Sequence, residues 1–278
     1  MNDTCSRMLV READFTGEFY EPAGKTGTGL VIVPSSAGVQ DVRERAYADF
    51  LARRGIFCCI ADAFTLRGVT ECLTDQTRLR SDVLMAQAVL AAERLRAKGC
   101  VRVGILGVSK GGSVALHAAL RHPWFPGAPD FAFHVALAPP VALQLRHVRA
   151  RGGPVFVLLG EKDDFTPAAP AREYAERIAA ANPGLQLHCR TVAGASHAWE
   201  SRGGLRFLAS AESYAHCRFL VEDDGTVTDA ATGRNMTRAV FFRGLRAHAR
   251  HGAHYGGGDD ALFSRTCLEI LRFIRGSL

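Results

Sequence analysis

One stretch, residues 101–112, limits what this chain can fold into more than any other. Residues 101–106 form an apolar run that reads as a buried strand. The run meets Gly107-Val108-Ser109-Lys110-Gly111, a G-x-S-x-G pattern, and residues 112–120 then take up helical periodicity. A serine on so sharp a strand-to-helix turn has a strained backbone and holds its hydroxyl above the end of a sheet. Its neighbours must then be nearly free of side chains, which Gly107, Gly111 and Gly112 satisfy. The positive end of the following helix lies beneath the serine, where an oxyanion would form.

Around this stretch, strands and helices alternate. Residues 8–20 have the character of an edge hairpin, and residues 22–29 form a turn. That turn contains Gly24-Lys25-Thr26, but Phe19 stands where a phosphate-binding loop needs its first glycine. Residues 29–34 read as a buried strand leading into Ser35-Ser36-Ala37-Gly38. A helix capped by Asp41 follows to about residue 54, with Val42, Ala46, Phe50 and Leu51 expected on its inner face. Further strands are expected at 56–60, 131–137, 154–160 and 185–192, and further helices at 75–98 and 168–181. Such alternation implies a mostly parallel central sheet with helices on both faces, and a ligand site beyond the carboxyl ends of its strands. Ser109 sits at such an end. One closing helix, residues 259–278, would complete the fold. Residues 201–256 are left as a late insertion in a single domain spanning 1–278, with a hairpin turning at Asp224-Gly225, and they are the candidate cover of the site.

The formal charge is +6, but the arginines are interspersed with acids along helical stretches, which argues for solvated faces and against a nucleic-acid stripe. The eight cysteines contain no C-x-x-C pair and read as reduced thiols. Residues 1–8 carry no apolar leader core, and no apolar run approaches the 18 or so residues of a membrane span. The expectation is a cytoplasmic protein, neither secreted nor membrane-bound, monomeric or homodimeric. His248, His251 and His254 lack carboxylate or thiolate company and read as a solvated helix end, not a metal site, so neither metal nor cofactor is expected.

A serine hydroxyl needs a base to become a nucleophile, and the base needs an acid to orient it. Downstream, the strand 154–159 ends in Gly160-Glu161-Lys162-Asp163-Asp164, and the last strand ends in Ala193-Gly194-Ala195-Ser196-His197. The chain order Ser, Asp, His is that of α/β-hydrolases. Of the tandem acids, one can reach His197 while the other caps the following turn. Two backbone N–H groups would hold the oxyanion: that of Lys110, whose side chain is expected to point to solvent, and that of Ser36, on the loop after the strand 29–34. Ser35, Phe64, Arg67 and Trp199 are the expected substrate contacts. Arg67 would anchor a carboxylate or phosphate, or else pair with a local acid such as Asp62 or Glu71.

The segments Val31-Ile-Val-Pro-Ser-Ser-Ala-Gly38, Ile60-Ala-Asp-Ala-Phe64, Gly107-Val-Ser-Lys-Gly-Gly112, Gly160-Glu-Lys-Asp-Asp-Phe-Thr-Pro167 and Gly194-Ala-Ser-His197 together resemble the dienelactone hydrolase family of α/β-hydrolases. The elbow is also similar to that of the acyl-CoA thioesterase and bile-acid acyltransferase group. The resemblance implies Asp163, third after the glycine, as the acid. It departs at Ser109, where the dienelactone hydrolases proper use cysteine, and at Ser35, where they carry a glutamate, which argues against dienelactone itself as substrate. The implied activity is cleavage of a small or medium ester, lactone or thioester through an acyl-enzyme. Acyl transfer to an amine or alcohol, and non-catalytic ligand binding, are the alternatives.

Overall fold

Strands that are apolar throughout can be buried only if helices cover both faces of their sheet, and the computed structural model, which describes residues 5–39, 42–201 and 203–276, has that arrangement. In chain order come β1 (Cys5–Arg11), β2 (Thr16–Pro22), β3 (Thr28–Val33), α1 (Val42–Ala52), β4 (Phe57–Ala61), α2 (Ser81–Ala97), β5 (Arg102–Val108), α3 (Lys110–Ala118), β6 (His134–Leu137), β7 (Leu143–Leu145), β8 (Val155–Gly160), α4 (Ala168–Ala181) and β9 (Leu187–Val192). Eight of these strands form one sheet in the order β1-β2-β4-β3-β5-β6-β8-β9. The β1–β2 and β2–β4 pairs are antiparallel, and every pair from β4–β3 to β8–β9 is parallel. The hairpin expected at the edge is therefore present, and it leads directly into the sheet.

Alternation within the strands assigns side chains to faces. Cys58 packs with Tyr47 and Leu51 of α1, whereas Cys59 joins Leu84, Met85 and Ala88 of α2 on the other face. The remainder follows β9: β10 (Arg206–Ser213), β11 (Phe219–Val221), β12 (Val227–Asp229), β13 (Asn235–Met236), α5 (Arg238–Gly244), β14 (Arg250–Tyr255) and α6 (Asp260–Ile274). Helix α6 closes the α1 face, with Cys267, Ile270 and Phe273 against the sheet. The hairpin at Asp224-Gly225 is formed by β11 and β12, and β11 also pairs in parallel with β7. No helix among the described residues is long and apolar enough to cross a membrane.

Three expectations are corrected. The helix after the third strand keeps its length, but Val42 is 68% exposed while Arg43, Glu44, Tyr47, Ala48 and Leu51 face inward. An apolar-only reading of the helix face fails because its first turn buries charge: Arg43 lies 3.6 Å from Glu200 and donates to Ser35 Oγ, and the Ser35 N–H donates to Glu44. The cap assigned to Asp41 lies outside the described residues. The helix expected from residue 75 starts at Ser81, since Asp75 instead holds a turn by accepting from the backbone and hydroxyl of Thr77. The histidine triplet is not a helix end: His248 closes a short 3-10 turn and His251 and His254 stand on β14.

The Arg43–Glu200 pair has both side chains 1% exposed. Arg43 also donates to Ser35 Oγ and lies over the Tyr255 ring at 5.1 Å, so its truncation removes several buried contacts at once. Arg43→Met is expected to lower stability by about 3–5 kcal/mol, read as the shift of the urea midpoint.

Candidate active site

The strand order brings to one edge of the sheet the loops at the carboxyl ends of β3, β5, β8 and β9, with β6 between β5 and β8. After β5, Ser109 has φ 53° and ψ −117°, a conformation that a non-glycine residue holds only when its surroundings over-determine it. The surroundings here are backbone. A Cβ on Gly107 would lie 1.9 Å from the carbonyl oxygen of Gly111, and one on Gly111 would lie 2.1 Å from that of Val33. The elbow is closed so tightly on itself and on β3 that only glycine fits at either position.

The three residues drawn from separate strands meet. His197 Nε2 is 3.1 Å from Ser109 Oγ, and His197 Nδ1 is 2.8 Å from Asp163 Oδ2. All three are nearly inaccessible, at 4%, 1% and 5% exposure for Ser109, His197 and Asp163. Asp163 also does what was assigned to its neighbour, because its Oδ1 accepts from the N–H groups of Phe165 and Thr166 and so caps the following turn. Thr166 Oγ1 donates to Asp163 Oδ2 and lies 3.1 Å from His197 Nδ1. Burial by itself would raise the Asp163 carboxyl, but the adjoining His197 and the hydrogen bonds from His197 and Thr166 outweigh it and hold the carboxyl below the usual range. The ring of Phe165 stands edge-on to the imidazole at 4.7 Å.

Asp164 instead points away and ties down the late segment. It accepts from both the backbone N–H and Nδ1 of His254, at 2.9 and 2.7 Å. The pair is about half exposed, where ion pairs contribute little. Asp164→Asn is accordingly expected to change kcat by less than about tenfold, since partly exposed pairs are worth at most about 1 kcal/mol. Limited proteolysis near β14 should be the more sensitive measurement.

Ser36 and Lys110 both reach the cavity that opens at Ser109. The Lys110 amide is the first of α3 and so has no place in the helix's own hydrogen-bond ladder. Its side chain does not point to solvent as expected. The ammonium donates to the Gln76 carbonyl at 2.6 Å and lies 3.6 Å from Cys72 Sγ, because residues 72–76 cover this side of the elbow. Burial lowers the pKa of this lysine, partly offset by Cys72. Gln76 is a hub that sequence patterns did not reveal. Its Oε1 accepts from Ser36 Oγ at 2.8 Å and from Lys110 Nζ at 3.3 Å, while its backbone N–H donates to the Glu212 carboxylate. Nothing local marks Gln76 or Glu212, 136 positions apart, as partners.

The expected substrate contacts are not brought to this cavity. Ser35 is 1% exposed and engaged by Arg43 and Glu44 behind the loop. Phe64 is fully buried in the α2-side core. Arg67 is exposed and donates to its own turn at the Ala63 carbonyl. It pairs with neither proposed acid, since Asp62 caps residues 64 and 65 and Glu71 pairs with Arg78. Trp199 is two residues beyond His197 in sequence but turned into the core, its Nε1 bonded to Thr266. The left-handed Ala198, φ 59°, reverses the chain between them. The cavity, of about 360 Å³, is walled instead by residues such as Trp124, Pro140, Leu143, Tyr174, Phe241 and Phe242. Two of these, and Glu212 to Phe219 beside them, come from the late segment between β9 and α6.

A parallel sheet with a serine elbow, and with acid and histidine on the loops of later strands, defines an α/β-hydrolase. The chain belongs to the dienelactone hydrolase family, whose model matches residues 15–221, and is thereby a hydrolase of ester-type substrates. Among solved structures it is similar to a Klebsiella pneumoniae protein assigned as a dienelactone hydrolase, with TM-score 0.55, 19% identity, and 70% of this chain and 88% of that one covered. It is also similar to protein TT1662 of Thermus thermophilus, with TM-score 0.53, 14% identity and coverage of 70% and 91%. A dienelactone hydrolase-like promiscuous phosphotriesterase from metagenomic libraries aligns with TM-score 0.52, 19% identity and coverage of 71% and 84%. No functionally curated protein matches the sequence.

Proposed function

We propose that the chain cleaves a carboxylic ester, lactone or thioester through a covalent acyl-enzyme on Ser109. The observation that carries this reading is the continuous line from Ser109 Oγ through His197 to Asp163, with links of 3.1 and 2.8 Å in a buried setting. His197 Nε2 takes the hydroxyl proton as Ser109 Oγ attacks the carbonyl carbon, and returns it to the leaving alcohol or thiol. Asp163 fixes the tautomer in which Nδ1 carries a proton and Nε2 is free to accept one. The amides of Lys110 and Ser36 receive the oxyanion, with Gln76 joining their two side chains and so coupling the two loops. Water activated by the same histidine then releases the acid.

Labelling with a fluorophosphonate tests the reading. One equivalent is expected to add at Ser109, identified by peptide mass, with ester hydrolysis lost in step. An esterase of the same fold is described as phosphoramylated by tabun, the same organophosphorus chemistry. Full labelling elsewhere, or none with ester turnover intact, would refute the assignment.

A further inference from the structure

The cavity at Ser109 does not end at the catalytic groups. It continues to a wall of aromatic rings supplied by separate segments: Trp124 from the loop before β6, Phe219 from β11, and Phe241 and Phe242 from α5. The rings form one cluster, with centroid separations of 5.6 Å for Trp124–Phe242, 5.0 Å for Phe219–Phe241 and 5.1 Å for Phe241–Phe242. Phe219 and Phe241 are buried, whereas Trp124 and Phe242 keep part of their surface open. Offset and edge-on packing at these distances is the arrangement in which a further ring adds favourably.

Two arginines at the ring cluster are already engaged. Arg80 lies over Phe242 at 5.1 Å and Arg238 over Trp124 at 4.7 Å. Both guanidinium groups bond to the same carboxylate, Asp82. Two more wall residues, His117 and His122, are buried neutral rings, their pKa values pushed by burial down to about 4 and about 2. The wall therefore offers ring faces and apolar edges around Arg80 and Arg238, which are held by Asp82 and by the rings; elsewhere on the lining Arg177 donates to the Leu145 carbonyl and Arg218 is exposed.

Resting on the hydrolase reading above, we propose that the substrate is an ester carrying an aromatic group, and that this group packs among Trp124, Phe241 and Phe242. Whether the ring belongs to the acyl or the alcohol portion is decided by two arms of one experiment. The first compares methyl 3-phenylpropanoate with methyl acetate and with the anionic monomethyl succinate; the second compares benzyl acetate with methyl acetate. In one arm kcat/KM is expected to favour the aryl ester by about 10- to 100-fold, as burial of a ring implies, with monomethyl succinate below the aryl ester. Phe242→Leu, which keeps an apolar side chain, and Trp124→Leu should each cut the aryl-to-acetate ratio by about tenfold.

Binding to the Ser109→Ala protein, read by calorimetry with the intact aryl esters and methyl acetate, gives the answer without turnover. Tighter binding of an aryl ester, lost in the added Phe242→Leu change, supports the aryl site even if the wild type hydrolyses no ester and the proposed function falls. Turnover of methyl acetate with no aryl preference in either arm and equal binding, or a preference for the succinate, overturns the aryl site and leaves the hydrolase reading standing.

Discussion

Ser109→Ala removes ester turnover, lowering kcat by about 10⁴-fold or more, while thermal unfolding stays within a few degrees of the wild type. The size of the loss follows from the geometry. Ser109 Oγ is the atom that His197 Nε2 faces at 3.1 Å, and an alanine offers nothing for the base to deprotonate. The small structural effect has an equally local cause. The strained backbone at φ 53° is imposed by Gly107, Gly111 and Val33, none of which the substitution touches. Alanine is also a single-atom truncation that leaves the Ser109 N–H bond to the Leu137 carbonyl in place. Adding His197→Ala should then cost little more, because the two residues act as one unit. Steady-state kinetics on a simple ester checks both, and activity within tenfold of wild type would remove Ser109 from the mechanism.

Asp163→Asn is the second large effect, a fall in kcat of roughly 10³- to 10⁴-fold against the small change expected for Asp164→Asn. The carboxylate accepts four hydrogen bonds, from Phe165 and Thr166 amides, the Thr166 hydroxyl and His197 Nδ1. An asparagine can keep its oxygen on the two amides, but its NH₂ then meets two donors. The imidazole escapes that conflict by moving its proton to Nε2, which leaves no acceptor for the Ser109 hydroxyl. Stability carries a pH signature with a definite sign. The Asp163 carboxyl is held below its ordinary value in the folded protein, so its stabilising contribution is complete above the unfolded value of about 3.9 and is lost as pH falls through the folded one. Urea unfolding from neutral pH into the acid range should therefore show a shallower acid decline for the asparagine variant. A larger kinetic loss in Asp164→Asn than in Asp163→Asn would reverse the two roles.

How much could be read from the sequence differs by the range of the interaction. The elbow, the loop acids and His197 were legible because each is written within a few residues of a strand end, and the fold delivers strand ends to one place. The face of α1 was misread because Arg43 and Glu44 interrupt its apolar periodicity in order to meet Ser35 and Glu200, partners defined only in space. Trp199 was placed near the site by its spacing from His197, yet the left-handed Ala198 turns it the other way. The individual residues of the cavity wall were not legible, although residues 201–256 were expected as the cover of the site. The wall depends on β11 pairing in parallel with β7, a contact of residues 219–221 with 143–145 for which no local pattern exists.

The loop that carries His197 has a further consequence for the order in which the protein can be made. Ser109, Asp163 and His197 have all been synthesised by residue 197, yet the backing of the histidine loop comes much later. The His197 carbonyl accepts from the Gly256 amide at 2.8 Å, Trp199 is held by Thr266, and a Cβ on Gly258 would lie 1.4 Å from the Trp199 carbonyl oxygen. A chain still emerging from the ribosome thus holds all three groups without the support that seats the base. On the proposed reading, the backing of His197 is in place only once Gly256 and, on α6, Thr266 have been made, later than the cavity-wall residues Trp124, Phe219, Phe241 and Phe242.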